Sequence, residues 1–107
     1  MIAVIFEVNI KEGKQSEYLQ IAAELRKHLE SLDGFISIER FSSMLNEGKI
    51  CSLSFWKDEE SVRKWREFEL HRFAQQQGRS EIFSDYRIRV AEVVRDYGMA
   101  NRDSAPK

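Results

Sequence analysis

The chain has 107 residues, about one domain with a modest core, and its formal net charge of −1 comes with 33% charged residues of both signs mixed along its length. That balance speaks against a basic field for nucleic acid and against an acidic solvating segment, which leaves small molecules or another protein chain as partners. No apolar run approaches membrane-spanning length, Met1 opens directly into strand-like sequence, and the single cysteine, Cys51, has neither a disulfide partner nor a histidine at zinc spacing, so a cytoplasmic protein holding no metal and no membrane contact is expected.

The opening MIAVIFEVNI alternates Ile2, Val4, Phe6, Val8 and Ile10 against Ala3, Ile5, Glu7 and Asn9, and its first half is apolar on both faces. This predicts a central strand. After the turn KEG, Tyr18, Ile21, Ala22, Leu25 and Leu29 recur at helical spacing in an amphipathic helix, with Gly34 as the expected C-terminal stop. FISIERFSSMLNEGKICSLSFW then reads as a hairpin of strands near 35–44 and 49–56 around NEG. Its alternation sets Phe35, Ser37, Glu39 and Phe41 opposite Ile36, Ile38 and Arg40. A second helix starts at Asp58, Glu59 and Glu60, whose carboxylates suit the positive end of a helix dipole, and is expected to stop at Gly78. Tyr86, Ile88, Val90 and Val94 alternate with Arg87, Arg89 and Arg95 in a last strand. The polar tail 99–107 contains the only proline and follows a single domain at 1–98.

The order β-α-β-β-α-β is the α+β, ferredoxin-like arrangement, an antiparallel sheet with both helices on one face. The other face, carrying Ile5, Cys51, Leu53 and Phe55 or their opposite-face neighbours, then exposes more apolar surface than a small monomer usually tolerates, and a homodimer through that face is the simplest cover.

Nucleotide-binding glycine loops, GxSxG and HExxH are all absent from the sequence. Cys51 lies mid-strand as a small hydrophobe, and His28 near a helix end reads as a solvated histidine favoured by the dipole. The second helix holds the more informative pattern. Positions 62, 65, 66, 69, 72 and 73 share one side, while 64, 68, 71 and 75 share an adjacent one, so Phe68, His71 and Gln75 form a stripe. Facing the sheet, that stripe would line a space for one flat ligand; the plainer alternative is a boundary histidine bonded near the helix end. Trp65 is either core or a stacking platform, and Arg72, Arg79, Arg87 and Arg89 are either an anion clamp or ordinary ion-pair partners.

The segments FEVNIKEGKQSEYLQIAAEL, DGFISIERF, SLSFWKDEESVRKWREFELHRFAQQQGR and FSDYRIRVAEVVRDYG together resemble the antibiotic-biosynthesis monooxygenase family over nearly the whole chain. The resemblance implies a dimeric α+β barrel. It also implies a reaction class, since members include cofactor-independent monooxygenases of phenols and hydroquinones, heme-degrading enzymes, and proteins of no proven activity. In the cofactor-free reaction the deprotonated substrate itself reduces O2, so the protein must take a proton, stabilise an anion and keep water out. Heme-degrading members carry an asparagine on the first strand, a tryptophan on the second helix and a histidine ten residues on; these positions correspond here to Phe6, Trp65 and Gln75, so only the tryptophan is kept. The reading that follows is a monooxygenase of a small aromatic molecule, with no cofactor. Trp65 and His71 are its catalytic candidates, and Phe6, Phe68, Arg72, Gln75, Tyr86 and Arg87 its substrate-binding candidates. The alternatives are a non-catalytic dimeric small-molecule-binding or stress-associated domain and, third, a heme-binding or heme-degrading protein.

Overall fold

Alternation and helical spacing become β1 (Ile2–Ile10), α1 (Gln15–Leu29), β2 (Phe35–Ser42), β3 (Lys49–Trp56), α2 (Glu59–Gln75) and β4 (Phe83–Glu92). The computed structural model describes residues 1–75 and 82–106, the side chains of 73–75 excepted, so the expected stop at Gly78 lies outside the described residues. The strands form one sheet in the order β2-β3-β1-β4, with every neighbouring pair antiparallel and β1 central. This is the ferredoxin-like arrangement that the element order implied.

Both helices cover the face that displays Val4, Phe6 and Val8. From α1 come Tyr18, Ile21, Ala22, Leu25 and Leu29, all buried, and from α2 come Val62 and Trp65. Two aromatic groups fill the space between. Phe35, Trp56, Trp65 and Phe68 form a column with successive centroid distances of 5.3, 6.1 and 5.7 Å. Tyr18, Phe83, Phe6 and Tyr86 meet edge to face or tilted on the β1–β4 side. Trp56 is 0% exposed, and its indole Nε1–H donates to Ser54 Oγ at 2.9 Å, which removes the penalty of burying that donor.

Three local features differ from the sequence reading. The alternation of β2 set Phe35 with Ser37, but a register shift between them leaves Ile36 as the extra residue, 53% exposed. Phe35 thereby turns inward against Trp56, while Ser37, Glu39 and Phe41 face away from the helices. Gly34 does not end α1, which stops at Leu29 and leaves through turn bonds from Ser31 N–H to the His28 carbonyl and from Leu32 N–H to that of Leu29. Its role is a close approach instead: φ is +88°, its carbonyl accepts the Lys57 N–H at 2.7 Å, and a Cβ there would meet the Ser61 side chain. Finally, Val94 lies beyond β4 and is 83% exposed, so the last strand is shorter than its alternation suggested. Beyond it the chain folds back on itself, with Ser104 Oγ accepting the Asp96 N–H and donating to the Asp96 carbonyl.

Asp58 caps α2. Its Oδ1 accepts both the Ser61 N–H at 2.9 Å and the Ser61 hydroxyl at 2.8 Å, and these bonds lower its pKa below the usual aspartate value.

Gly34→Ala combines a left-handed φ with a Cβ placed 2.7 Å from Ser61 Cβ. A loss of about 1–3 kcal/mol is expected, read as a Tm lowered by roughly 5–20 °C in a thermal melt. Asp58→Ala also lowers Tm, with a definite pH signature. Because the folded-state pKa is the depressed one, the cap's contribution is complete above the ordinary aspartate range and is lost as pH falls through the lower folded value. Melts of the two proteins therefore differ at neutral pH and converge under acid conditions; a constant difference across that range contradicts the capping role.

Candidate active site

The stack of Trp65 on Trp56, with planes 28° apart, sets the rotation of α2 about its axis. Val62, Trp65 and Glu69 are buried, Arg66, Phe68 and Arg72 are half-buried, and Arg63, Lys64, Glu67, Leu70 and His71 are exposed. Arg66, one position beyond Trp65, is turned toward β1. Its guanidinium carbon lies 5.5 Å from the centroid of the Phe6 ring, within cation–π range. One turn further on, Glu69 forms an ion pair with Arg66 and is only 8% exposed.

Val62 and Val90 both line a cleft of about 420 Å³ together with Glu59, Glu60 and Arg63. Val90 belongs to the helix-side face of β4, as do Ile88 and Tyr86, because they pair in register with Val4, Phe6 and Val8. Further along α2, the seam between this helix and the β1–β4 pair holds Arg66 beside the Phe6 ring, which meets Tyr86 edge to face. Another hollow, of about 440 Å³, lies at one end of the sheet among Ile10, Lys11, Glu12, Gly13, Gln15, Glu47 and Gly48, and none of these residues is aromatic. The seam is the better candidate because apolar walls and a desolvated ion pair occur together there.

The residues singled out from the sequence are dispersed. Phe6, 7% exposed, and Tyr86, 43% exposed, meet in the seam at 5.8 Å. Trp65 is interior, held between Trp56 and Phe68, and Phe68 also touches the imidazole of His28 on α1 at 5.1 Å. Arg72 bonds Glu24 of α1 at 3.0 Å. Gln75 closes α2, and its side chain lies outside the described residues. His71 is exposed on the side of α2 that carries Lys64 and Glu67, whereas Phe68 of the same stripe packs against Trp65, so the stripe is divided between the core and the surface of the helix. Arg87 pairs in register with Glu7 on the opposite face of the sheet from Phe6 and Tyr86, where an anion in the seam is out of its reach. Arg66 and Glu69 are not among the site candidates of the sequence, yet both fall on the same helical side as Val62 and Trp65, a placement that spacing alone makes legible.

The sheet face away from the helices has its own electrostatics. The Glu7 carboxylate is held by Lys49 at 3.4 Å and Arg89 at 2.9 Å, and these cations, Lys49 foremost, lower its pKa. Beside it, burial raises the Cys51 thiol above its usual value, with the charge of Glu7 adding to the effect. A thiol so shifted is a poor nucleophile.

A family model described as antibiotic biosynthesis monooxygenase matches residues 1–77, from β1 through α2. The curated jasmonate monooxygenase ABM of Pyricularia oryzae is 44% identical over 93 residues, which make up 87% of this chain and 43% of that protein. The matched region thus spans less than half the length of that relative. Among solved structures, Rv0793 from Mycobacterium tuberculosis superposes with a TM-score of 0.75 at 13% identity, covering 91% of this chain and 98% of the other. A MhuD mutant with two manganese protoporphyrin IX bound per active site gives 0.71 at 18% identity, covering 92% and 99%. At such identities the structural likenesses carry the fold alone. Of the positions compared with heme-degrading members, Phe6 and Trp65 are buried, and His71 is exposed on α2. With its family match running over most of the chain and a ferredoxin-like fold to accompany it, this chain belongs to the antibiotic biosynthesis monooxygenase family.

Proposed function

We propose that this chain is a monooxygenase that oxidises a small, largely apolar phenol or quinol with O2 in the seam between α2 and the β1–β4 pair, and that it works as a homodimer. The observation that carries the reading is the 44% identity to a protein named a jasmonate monooxygenase, over a region that includes 87% of this chain. The net reaction converts a CH2 of the substrate's keto form to a carbonyl. One atom of O2 enters the product, the other leaves as water, and the substrate supplies all the electrons. Such chemistry asks the protein for an apolar enclosure and a cation near the developing oxyanion. Phe6, Tyr86, Val62 and Val90 supply walls for the first requirement, and Arg66 supplies the second. Trp65 and Phe68 support the seam from behind, and His71, Arg72 and Arg87 have no part in this reading. Jasmonate, which is also small and largely apolar, is the second substrate to test.

The dimer rests on the open face of the sheet. Ile5, Leu53 and Phe55 lie half-buried there without a helix above them, and Phe41 is 47% exposed, while Glu7, Lys49 and Arg89 form a charged border. A second copy would cover the apolar centre and leave the border wet, as interfaces commonly do.

Oxygen-electrode measurements with a panel of hydroquinones, polycyclic phenols and jasmonate are expected to show uptake above autoxidation for at least one compound, with a single 18O atom from labelled O2 in the product. Uptake at the autoxidation rate throughout the panel contradicts the reading. Light scattering is expected to give twice the chain mass for the native protein and the single-chain mass for Leu53→Arg; a native monomer rules out the dimer.

A further inference from the structure

We propose that Glu59 sets the charge selectivity of the cleft lined by Val62 and Val90, which admits neutral or positively charged apolar molecules and turns away those that carry a carboxylate. Calling the admitted molecule a substrate rests on the monooxygenase reading, whereas the selectivity itself is a property of binding.

The cleft lies at the start of α2. The buried Val62 and the exposed Val90 are its apolar part, and its volume of about 420 Å³ falls within the range of small-ligand sites. Arg66 lies over Phe6, whose partner in register on β4 is Ile88, so α2 runs antiparallel to β4 and its first turn lies beside the C-terminal end of that strand. Glu59 is about 4.5 Å before Val62 along the helix axis, and Glu92, on the same strand face as Val90, is about 7 Å beyond it. Carboxylates from both elements therefore gather at one end of the cleft.

The positive charge nearby is already engaged. Arg63 is the one cation among the described lining residues, and it donates from Nε and Nη2 to Glu60 at 3.1 and 2.5 Å and from Nη1 to Glu67 at 2.7 Å. Two carboxylates on one guanidinium leave no net positive charge to meet a ligand. Lys64 acts on Glu60 as well, from an exposed position. Glu59 and Glu92, by contrast, have no ion-pair partner among the described residues.

The positive end of the α2 dipole favours an anion, but it amounts to only about half an elementary charge. It is met by Asp58, which accepts the Ser61 N–H, and by the full charges of Glu59 and Glu60 in the first turn. The balance over the cleft is negative. Beside apolar side chains that displace part of the water, an unpaired carboxylate attracts an ammonium group and repels a carboxylate, and the two effects together amount to about tenfold in relative affinity.

Three probes of one shape and different charge test this: phenethylamine, phenethyl alcohol and hydrocinnamate. At neutral pH and low ionic strength, titration calorimetry of wild type is expected to rank them amine, alcohol, carboxylate, with about tenfold between the ends of the series and a narrower spread in strong salt. Glu59→Gln narrows the spread to about threefold, and Glu59→Lys reverses the order; position 59 is exposed, so neither change disturbs the core. Val90→Trp fills the cleft from an exposed strand position and removes binding of all three probes. Hydrocinnamate bound by wild type as tightly as phenethylamine, an unaltered spread in Glu59→Lys, probe binding intact in Val90→Trp, or no binding of amine and alcohol to wild type overturns the assignment. Oxygen uptake separates it from the monooxygenase reading. The expected ranking with no O2 uptake from any substrate upholds the selectivity and overturns that reading, whereas uptake with carboxylate-bearing substrates as readily as with their esters does the reverse.

Discussion

The contact between Trp56 and Trp65 is the constraint on which the functional side of this molecule depends. Trp56 ends β3 fully buried, tied to Ser54 through its indole nitrogen, and Trp65 lies against it from α2. Removing a buried ring of this size costs about 3–5 kcal/mol, a large share of the stability of a small domain. Because successive helical residues are about 100° apart, seating Trp65 assigns every other position on α2. Arg66 goes toward Phe6, Glu69 goes inward and His71 goes outward. A rotation that brought His71 over the sheet would pull Trp65 from the column.

The sheet divides the chain's chemistry by parity. Phe6 and Glu7 are neighbours in sequence, yet one faces aromatic rings beneath α2 and the other faces Lys49 and Arg89 on the open side. Tyr86 and Arg87 divide in the same way across β4. The proposed binding seam and the proposed association surface therefore lie on opposite faces of one sheet without sharing side chains. Adjacent residues on a strand point to opposite faces, so a four-stranded sheet can present two chemistries at once.

The Arg66–Glu69 pair derives its character from limited solvent access. An exposed Arg–Glu pair such as Arg63 with Glu60 is screened by water and contributes little to any site. Arg66 and Glu69 are the same residue types at the same spacing, but burial makes their fields strong and their desolvation costly. The difference between the two pairs is a matter of where α2 meets the sheet.

Strand alternation and helical spacing were sufficient, from the sequence alone, for the element order, the ferredoxin-like arrangement and the buried set of α1, because these patterns depend on neighbours a few positions apart. The same spacing places Arg66 and Glu69 on the side of α2 shared with Val62 and Trp65. Only the tertiary structure decided which side of α2 meets the sheet, that Phe35 turns inward past a bulged Ile36, and that Gly34 serves the approach of Ser61 rather than the end of α1. The physical reason is that periodicity defines the faces of an element but not their partners. Those are set by rings and backbone atoms brought together from distant parts of the chain, as Trp56 and Trp65 are.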